Sequence, residues 1–364
     1  MRTLEALLEQ DLDYICQEAE TELSAIAGHK LWLSGAAGFV GYYLTKAIEH
    51  WNKINPGNVI TLIAVDNFIR GVPIWLESLD SEYIQLLKFD ITKDLPVEFD
   101  DVDYVIHAAS IASPPVYRQY PLETIDANIT GIRNVLDRAD KLKAILFFST
   151  SEIYGDPPAG EIPTKETFRG LVSCTGPRAC YDESKRLGET LCVIYSQKHD
   201  VPVKIVRPFN NYGPGLKITD GRVLPDFARN ALDNEDIVML SDGSPTRTFC
   251  YIADAVTGYL KVLIRGHQGE PYNIGIDNDE TSMRDLALLV QSHARELWSY
   301  AGSVITQEPE ESAYLEDNPN RRCPNIDKAR EHLDYDPKIG IDQGVRSALE
   351  WYFHQENLGT KESS

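Results

Sequence analysis

Between Lys30 and Pro208, short apolar runs recur with helical segments between them: "KLWLSG", "NVITLIAVD", "YIQLLKFD", "DYVIHAAS", "KAILFFSTS" and "VPVKIVRP". No other feature limits the fold as tightly. Strands buried on both faces read as continuous apolar runs, and parallel neighbours need a crossover, usually a helix. The rhythm therefore predicts the α/β class: a doubly wound, mainly parallel sheet with helices on both faces.

The flanking segments have a different texture. Residues 1–29 carry Leu4, Leu7, Leu8, Leu12 and Ile15 at helical spacing among many acids, so an amphipathic extension packed on the body or on a partner subunit is expected. After Pro208 the rhythm loosens into "FNNYGPGLKITDGRVLP". The expected partition is a dinucleotide-binding domain at 30–207, joined by a segment near 250–275, then a smaller, mainly substrate-binding lobe at 208–357 and a polar tail at 358–364. A chain of 364 residues is long enough for one large domain or two closely joined ones.

Charge and cysteine usage narrow the function classes. The net charge of −21 argues against a nucleic-acid surface, because phosphate backbones need clustered Lys and Arg. A small anionic ligand needs only a few local arginines. The six cysteines, at 16, 174, 180, 192, 250 and 323, form no C-x-x-C pair, which speaks against zinc or a dithiol and for a reducing compartment. The N-terminus lacks the pattern of a secretory signal, and no apolar run approaches the ~20 residues of a membrane span. A soluble, cytoplasmic protein is expected, with no metal, no nucleic acid and no membrane partner.

The first strand runs into "SGAAGFVG", with Gly35, Gly38 and Gly41 at G-x-x-G-x-x-G spacing before a helix. Such glycines permit a tight turn and close backbone approach, so helix amides can hold a pyrophosphate; glycines at strand–helix turns are also often only structural. The context decides here. Asp66 ends the second strand, where a carboxylate binds a ribose hydroxyl pair and repels a 2′-phosphate. NAD, held in a Rossmann domain, is favoured over NADP.

"CYDESK" puts Tyr181 and Lys185 four apart on a predicted helix, hence on one face. A nearby ammonium lowers a phenol's pKa, making Tyr181 a proton acceptor for an alcohol being oxidised. The spacing alone carries little weight, since Tyr42 and Lys46 repeat it on the first helix, where surface positions are expected. What singles out Tyr181 is that its helix follows the strand ending in "STSE", with Thr150, Ser151 and Glu152. His107 ends another buried strand and reads as structural.

The motifs "GAAGFVG", "VDNF", "HAASIASPPVY", "STSEIYGDP", "GPRACYDESKRLGET", "FNNYGPG", "DGRV", "TRTFCYIAD" and "RRCPNIDKA" together resemble the extended short-chain dehydrogenases acting on nucleotide sugars. Within them the resemblance is nearest to the UDP-glucuronate decarboxylase branch, and it runs from about Lys30 to about Tyr352. It implies oxidation of the sugar at C4, loss of CO2 from the resulting β-keto acid, and re-reduction by the same NAD. Thr150, Ser151, Glu152, Tyr181, Lys185 and Arg322 are the implied catalytic positions. Tyr117, Arg178, Asn210, Arg222, Arg247 and Arg322 would face the substrate; a lone arginine is otherwise a surface charge. Phe39, Val40, Asn67, Asp90, Ile91, Ala109 and Asn128 join the glycines, Asp66, Tyr181 and Lys185 around NAD. The resemblance also implies a homodimer packed through the Tyr181 helices.

The branch is less sharply marked. Related 4,6-dehydratases carry Asp where this chain has Ser151, and a serine cannot easily act as acid for an expelled hydroxyl. At 213–215 this chain reads "GPG" where the decarboxylases read "GPR". UDP-glucuronate is the favoured substrate. The alternatives are a 4-epimerase or 4,6-dehydratase of a UDP- or dTDP-hexose and, from another class, a catalytically silent sensor of NAD or a nucleotide sugar.

Overall fold

The computed structural model describes residues 1–77, 79, 81–308 and 319–362. Seven of its strands join one sheet: β1 (Lys30–Ser34), β2 (Thr61–Asp66), β3 (Ile84–Lys88), β4 (Tyr104–His107), β5 (Ala144–Phe148), β6 (Val203–Pro208) and β7 (Pro271–Ile274). Their spatial order is β7-β6-β5-β4-β1-β2-β3, and every pairing is parallel. β4 and β5 are buried along their whole length, as strands covered on both faces must be. The order reverses between β1 and β4. Ligands of open α/β sheets bind in the crevice at the carboxyl end of such a switch point.

The N-terminal extension folds as α1 (Leu4–Glu18) and α2 (Glu20–Ile26), with the Thr3 hydroxyl capping α1 by accepting from the Ala6 amide. Leu7, Leu12 and Ile15 are buried, each stabilising the contact by roughly 1.5–3 kcal/mol. Polar ties add direction: Arg2 pairs with Glu350 at 2.8 Å, and buried Asp11 accepts from the hydroxyls of Tyr43 (2.7 Å) and Tyr251 (2.9 Å). The extension thus packs on its own chain's body.

Beyond Pro208 the strands are short. A three-stranded sheet sets Thr246–Arg247 between Thr281–Ser282 and Arg321–Arg322. Its register places Arg322 beside Arg247, which positions two guanidinium groups together. The helix Ile252–Arg265, buried almost all round, packs this part onto β5 and β6. The final helix, Ile341–Glu362, runs through most of the segment expected as a tail, whose last two residues lie outside the described ones.

Candidate active site

Two cavities open at the carboxyl ends of the strands. One, of about 950 Å³, lies along the glycine turn, Asp66, Asn67, Asp90, Ile91 and Ala109. The other, of about 780 Å³, is walled by Thr150, Ser151, Glu152, Tyr181, Lys185 and the arginines 178, 222, 247 and 322. They share Gly35, Gly38 and Phe39, so the start of the first sheet helix (α3, Phe39–Ile54) stands at their junction.

The first cavity fits a dinucleotide. Gly35 has φ +84°, and a Cβ there would come within 2.7 Å of the Ala108 backbone, so only glycine lets the turn close against β4. Gly38 caps α3 without any side-chain hydrogen bond, which leaves the first helix amides for an anionic ligand. Asp66 accepts from the amides of Ala37 (3.0 Å) and Phe68 (2.8 Å), which aims its carboxylate along the cavity; burial raises its pKa. The side chains of Asn67 and Asp90 accept from backbone amides of Ile69 and Thr92, shaping the loops around them. Asn128 does not reach either wall. It is wholly buried behind the Tyr-Lys helix and donates to the Ser184 hydroxyl at 2.9 Å.

At the end of β5 the chain turns over Ser151–Tyr154, and the Thr150 hydroxyl accepts from the Glu152 amide at 3.2 Å. The helix Ala179–His199 brings Tyr181 and Lys185 to that turn. Lys185 is buried; its ammonium donates to the Phe148 carbonyl at 2.6 Å and sits 5.9 Å from the centre of the Tyr181 ring. Burial pulls its pKa down to about 7. Burial also pushes the Tyr181 phenol up to about 12, against the pull of the Thr150 hydroxyl. Tyr117 stacks on Tyr181 with centroids 5.4 Å apart, fixing the ring plane. His107 bonds Ser34 and the Ala127 carbonyl, and burial lowers it to about 3, so it is a neutral structural group.

Glu152 is gripped by Arg322, whose Nη2 lies 2.6 Å from Oε2, and by Arg178. Burial alone would raise the carboxyl, yet the two guanidinium groups outweigh it and hold the pKa at about 2. Arg322 Nε and the Tyr117 hydroxyl are buried with no hydrogen-bond partner among the described residues, and both residues line the cavity. Unpaired donors at a concave wall call for a ligand acceptor. Arg247 donates to the carbonyls of Thr246 and Pro319, and burial draws its pKa down to about 9. Asn210 donates to the Thr248 carbonyl at 2.8 Å, and Arg222 pairs with Asp220 at 3.1 Å.

One expectation needs correction. Tyr42 is not a surface residue: it is 6% exposed and meets Trp75 edge-on, with centroids 4.8 Å apart. The cause is tertiary, because the final helix folds back and sets Trp351 against it. Gly215 belongs to the same corner. It lines the glycine-turn cavity rather than the Glu152 one, has φ +83°, and a Cβ there would meet the Tyr42 ring at 2.8 Å. The position of the missing arginine of the "GPR" pattern thus lies on the cofactor side, against the Tyr42 ring. Sequence reasoning also missed Arg70 and Asp220, which line both cavities. Asp220 stands in the quoted "DGRV", so that motif could have flagged it; nothing local marks Arg70.

A family model described as the NAD dependent epimerase/dehydratase family matches residues 31–275. The chain belongs to that family. NAD is its cofactor, in keeping with the glycine turn and Asp66. Relatives of this family member include UDP-glucuronic acid decarboxylase 1 of Xenopus tropicalis, 35% identical over 90% of this chain and 72% of that one. UDP-glucuronic acid decarboxylase 3 of Arabidopsis thaliana is 35% identical over 87% of this chain and 86% of its own. Among solved structures, the Bordetella bronchiseptica enzyme WbmF in complex with NAD+ superposes with a TM-score of 0.70 at 25% identity, covering 93% of this chain and 96% of that one. No helix among the described residues is long and apolar enough to cross a membrane.

Proposed function

We propose that this family member converts UDP-glucuronate to UDP-xylose. The observation that carries the reading is the Glu152–Arg322–Arg178 cluster beside Thr150 and Tyr181: a hexuronate brings a carboxylate, and Arg322, held in place by Glu152, keeps an Nε donor without a partner among the described residues. The relatives named as decarboxylases support it.

Gly35, Gly38, Phe39, Val40, Gly41, Asp66, Asn67, Asp90, Ile91 and Ala109 would hold NAD, with Asn128 acting from behind the wall. When bound, NAD supplies reversible hydride acceptance at the sugar C4. Tyr181 takes the proton of the C4 hydroxyl, and Thr150 hydrogen-bonds the same oxygen. The buried Lys185 supplies positive charge when protonated and favours the phenolate. In the 4-keto acid, the C5–C6 bonding pair moves toward the carbonyl as CO2 departs, leaving an enolate. Tyr181, now protonated, and Thr150 hold its oxygen; Arg322, itself positioned by Glu152, orients the departing carboxylate. C5 then gains a proton that originates from water, and as C4 is reduced Tyr181 returns its proton to the C4 oxygen, restoring the alcohol. Ser151 offers no acid for expelling a hydroxyl, which weighs against dehydration. Tyr117 and Arg178 line the sugar position; Asn210, Arg222 and Arg247 line the diphosphate position.

Residues 208–357 serve mainly the substrate and 30–207 the cofactor, in a cytoplasmic enzyme. Two copies pair through the Ala179–His199 helix, where Leu187 and Ile194, seven apart, are 46% and 45% exposed. Light scattering tests the pairing.

The deciding experiment is proton NMR with NAD+ and UDP-glucuronate in deuterated water. UDP-xylose deuterated at C5, with CO2 released, is the expected outcome. UDP-galacturonate would mean epimerisation instead, and a bound cofactor whose absorbance never changes would mean a sensor.

A further inference from the structure

Arg70 and Arg222 arise from different parts of the chain and meet on one carboxylate. Arg70 lies in the loop after β2, and its Nη2 is 3.8 Å from Asp220 Oδ2. Arg222 opens the helix Val223–Leu232, and its Nε is 3.1 Å from Asp220 Oδ1. Asp220 is only 3% exposed, whereas the two arginine side chains are 34% and 35% exposed. Asp220 is held by its backbone: its amide donates to the Lys217 carbonyl (3.0 Å) and its carbonyl accepts from the Ser113 hydroxyl (2.8 Å). Among the described residues, neither guanidinium makes another ion pair.

Placement gives this triad a meaning beyond a structural ion pair. Arg70 and Asp220 line both cavities, at the junction above the start of α3; Arg222 lines the Glu152 cavity alone. A dinucleotide whose adenosine lies along Asp66 and whose nicotinamide reaches Tyr181 must pass its pyrophosphate through that junction. One negative carboxylate between two guanidinium groups leaves one net positive charge, and each arginine keeps N–H groups for phosphate oxygens.

We infer that Asp220 is a shared pivot, aiming Arg70 at the cofactor pyrophosphate and Arg222 at the diphosphate of the nucleotide sugar, so that one carboxylate sets the affinity for both ligands. Arg70 is then a cofactor-binding residue and Asp220 a positioning residue. The inference rests on NAD and a nucleoside-diphosphate sugar being the two ligands.

The test is binding, without turnover: NADH by its own fluorescence and UDP by calorimetry on the NAD-loaded enzyme. Arg70→Ala is expected to weaken NADH about tenfold and leave UDP within about twofold, the loss of one charge-assisted contact. Arg70→Lys should recover part of the loss. Asp220→Asn, nearly isosteric, should weaken both ligands by roughly three- to tenfold. Placed in the Arg70→Ala background, Asp220→Asn should cost UDP affinity but no further NADH affinity. Unchanged NADH binding in Arg70→Ala overturns the inference. So does an NADH loss from Asp220→Asn that is undiminished when Arg70 is already gone. A wild-type enzyme that binds NADH but not UDP sinks the nucleotide-sugar reading and the Arg222 arm with it, while the Arg70 titration still decides the cofactor arm.

Discussion

The chain carries the same Tyr-x-x-x-Lys spacing twice, and the two copies end in opposite circumstances. In the helix Ala179–His199, Lys185 is buried with a backbone carbonyl as its acceptor, and Tyr181 faces the cavity beside Thr150. On α3, Lys46 is paired with Glu49 at 2.8 Å, and Tyr42 is wedged against Trp75 and Tyr43. Burial, with Glu49 and Asp11 adding to it, raises the Tyr42 phenol, and no hydroxyl pulls it back as Thr150 does for Tyr181. Helical spacing puts two side chains on one face. Whether they do chemistry depends on what neutralises the lysine and what the hydroxyl can touch.

The strongest way to break this contrast is to remove both hydroxyls separately. Tyr181→Phe is expected to lower kcat by roughly 10²–10⁴-fold, the usual worth of a positioned proton acceptor, while Tyr42→Phe stays within about threefold. Comparable losses in steady-state assays of the two variants would erase the distinction.

Lys185→Met should cost about 10–100-fold in kcat, since it removes the cation that favours the phenolate. It should also leave a mark on stability. Burial lowers this ammonium from 10.5 to about 7, so between those values the unfolded chain holds a proton that the fold lacks. Stability therefore gains from this group as pH rises through that window, and the penalty is fully present below it. Denaturant melts between pH 7 and 10 should show a slope in the wild type that Lys185→Met loses. An unchanged slope means that the ammonium stays charged in the fold.

Gly215→Arg probes the other corner. The positive φ and the Tyr42 ring in the path of a Cβ should cost about 1–3 kcal/mol of stability. Adding Tyr42→Ser should return part of it, because the ring is the obstacle; a strictly additive double variant would locate the strain in the backbone alone. The smallest effect belongs to Lys46→Met. An i,i+3 pair on a helix surface is worth roughly 0.2–0.5 kcal/mol, so turnover and melting temperature should scarcely move.

The legible parts of the site were those where function lies in local order. A strand, a glycine turn and a helix are consecutive, and Asp66 follows one strand later, so the cofactor cradle reads off the chain directly. The resemblance implied Glu152 and Arg322 as a pair beside the sugar carboxylate, but no local spacing shows it: their contact spans 170 positions and depends on a two-residue strand pairing with another. Asn128 illustrates the opposite case. Its motif position is right beside the site in sequence terms, yet its amide nitrogen donates to Ser184 inside the wall, while its buried Oδ1 has no hydrogen-bond partner among the described residues.

By itself the sequence determined the parallel sheet, the cofactor turn and the helix bearing Tyr181, because apolar periodicity and turn chemistry act over a few residues. Tertiary structure alone decided which tyrosine stands beside Thr150 in the Glu152 cavity, which arginines converge on Glu152, and that Arg70 and Arg222 share Asp220. Those outcomes depend on the approach of segments far apart in the chain, where burial and charge pairing among distant neighbours govern and no local spacing records the partner.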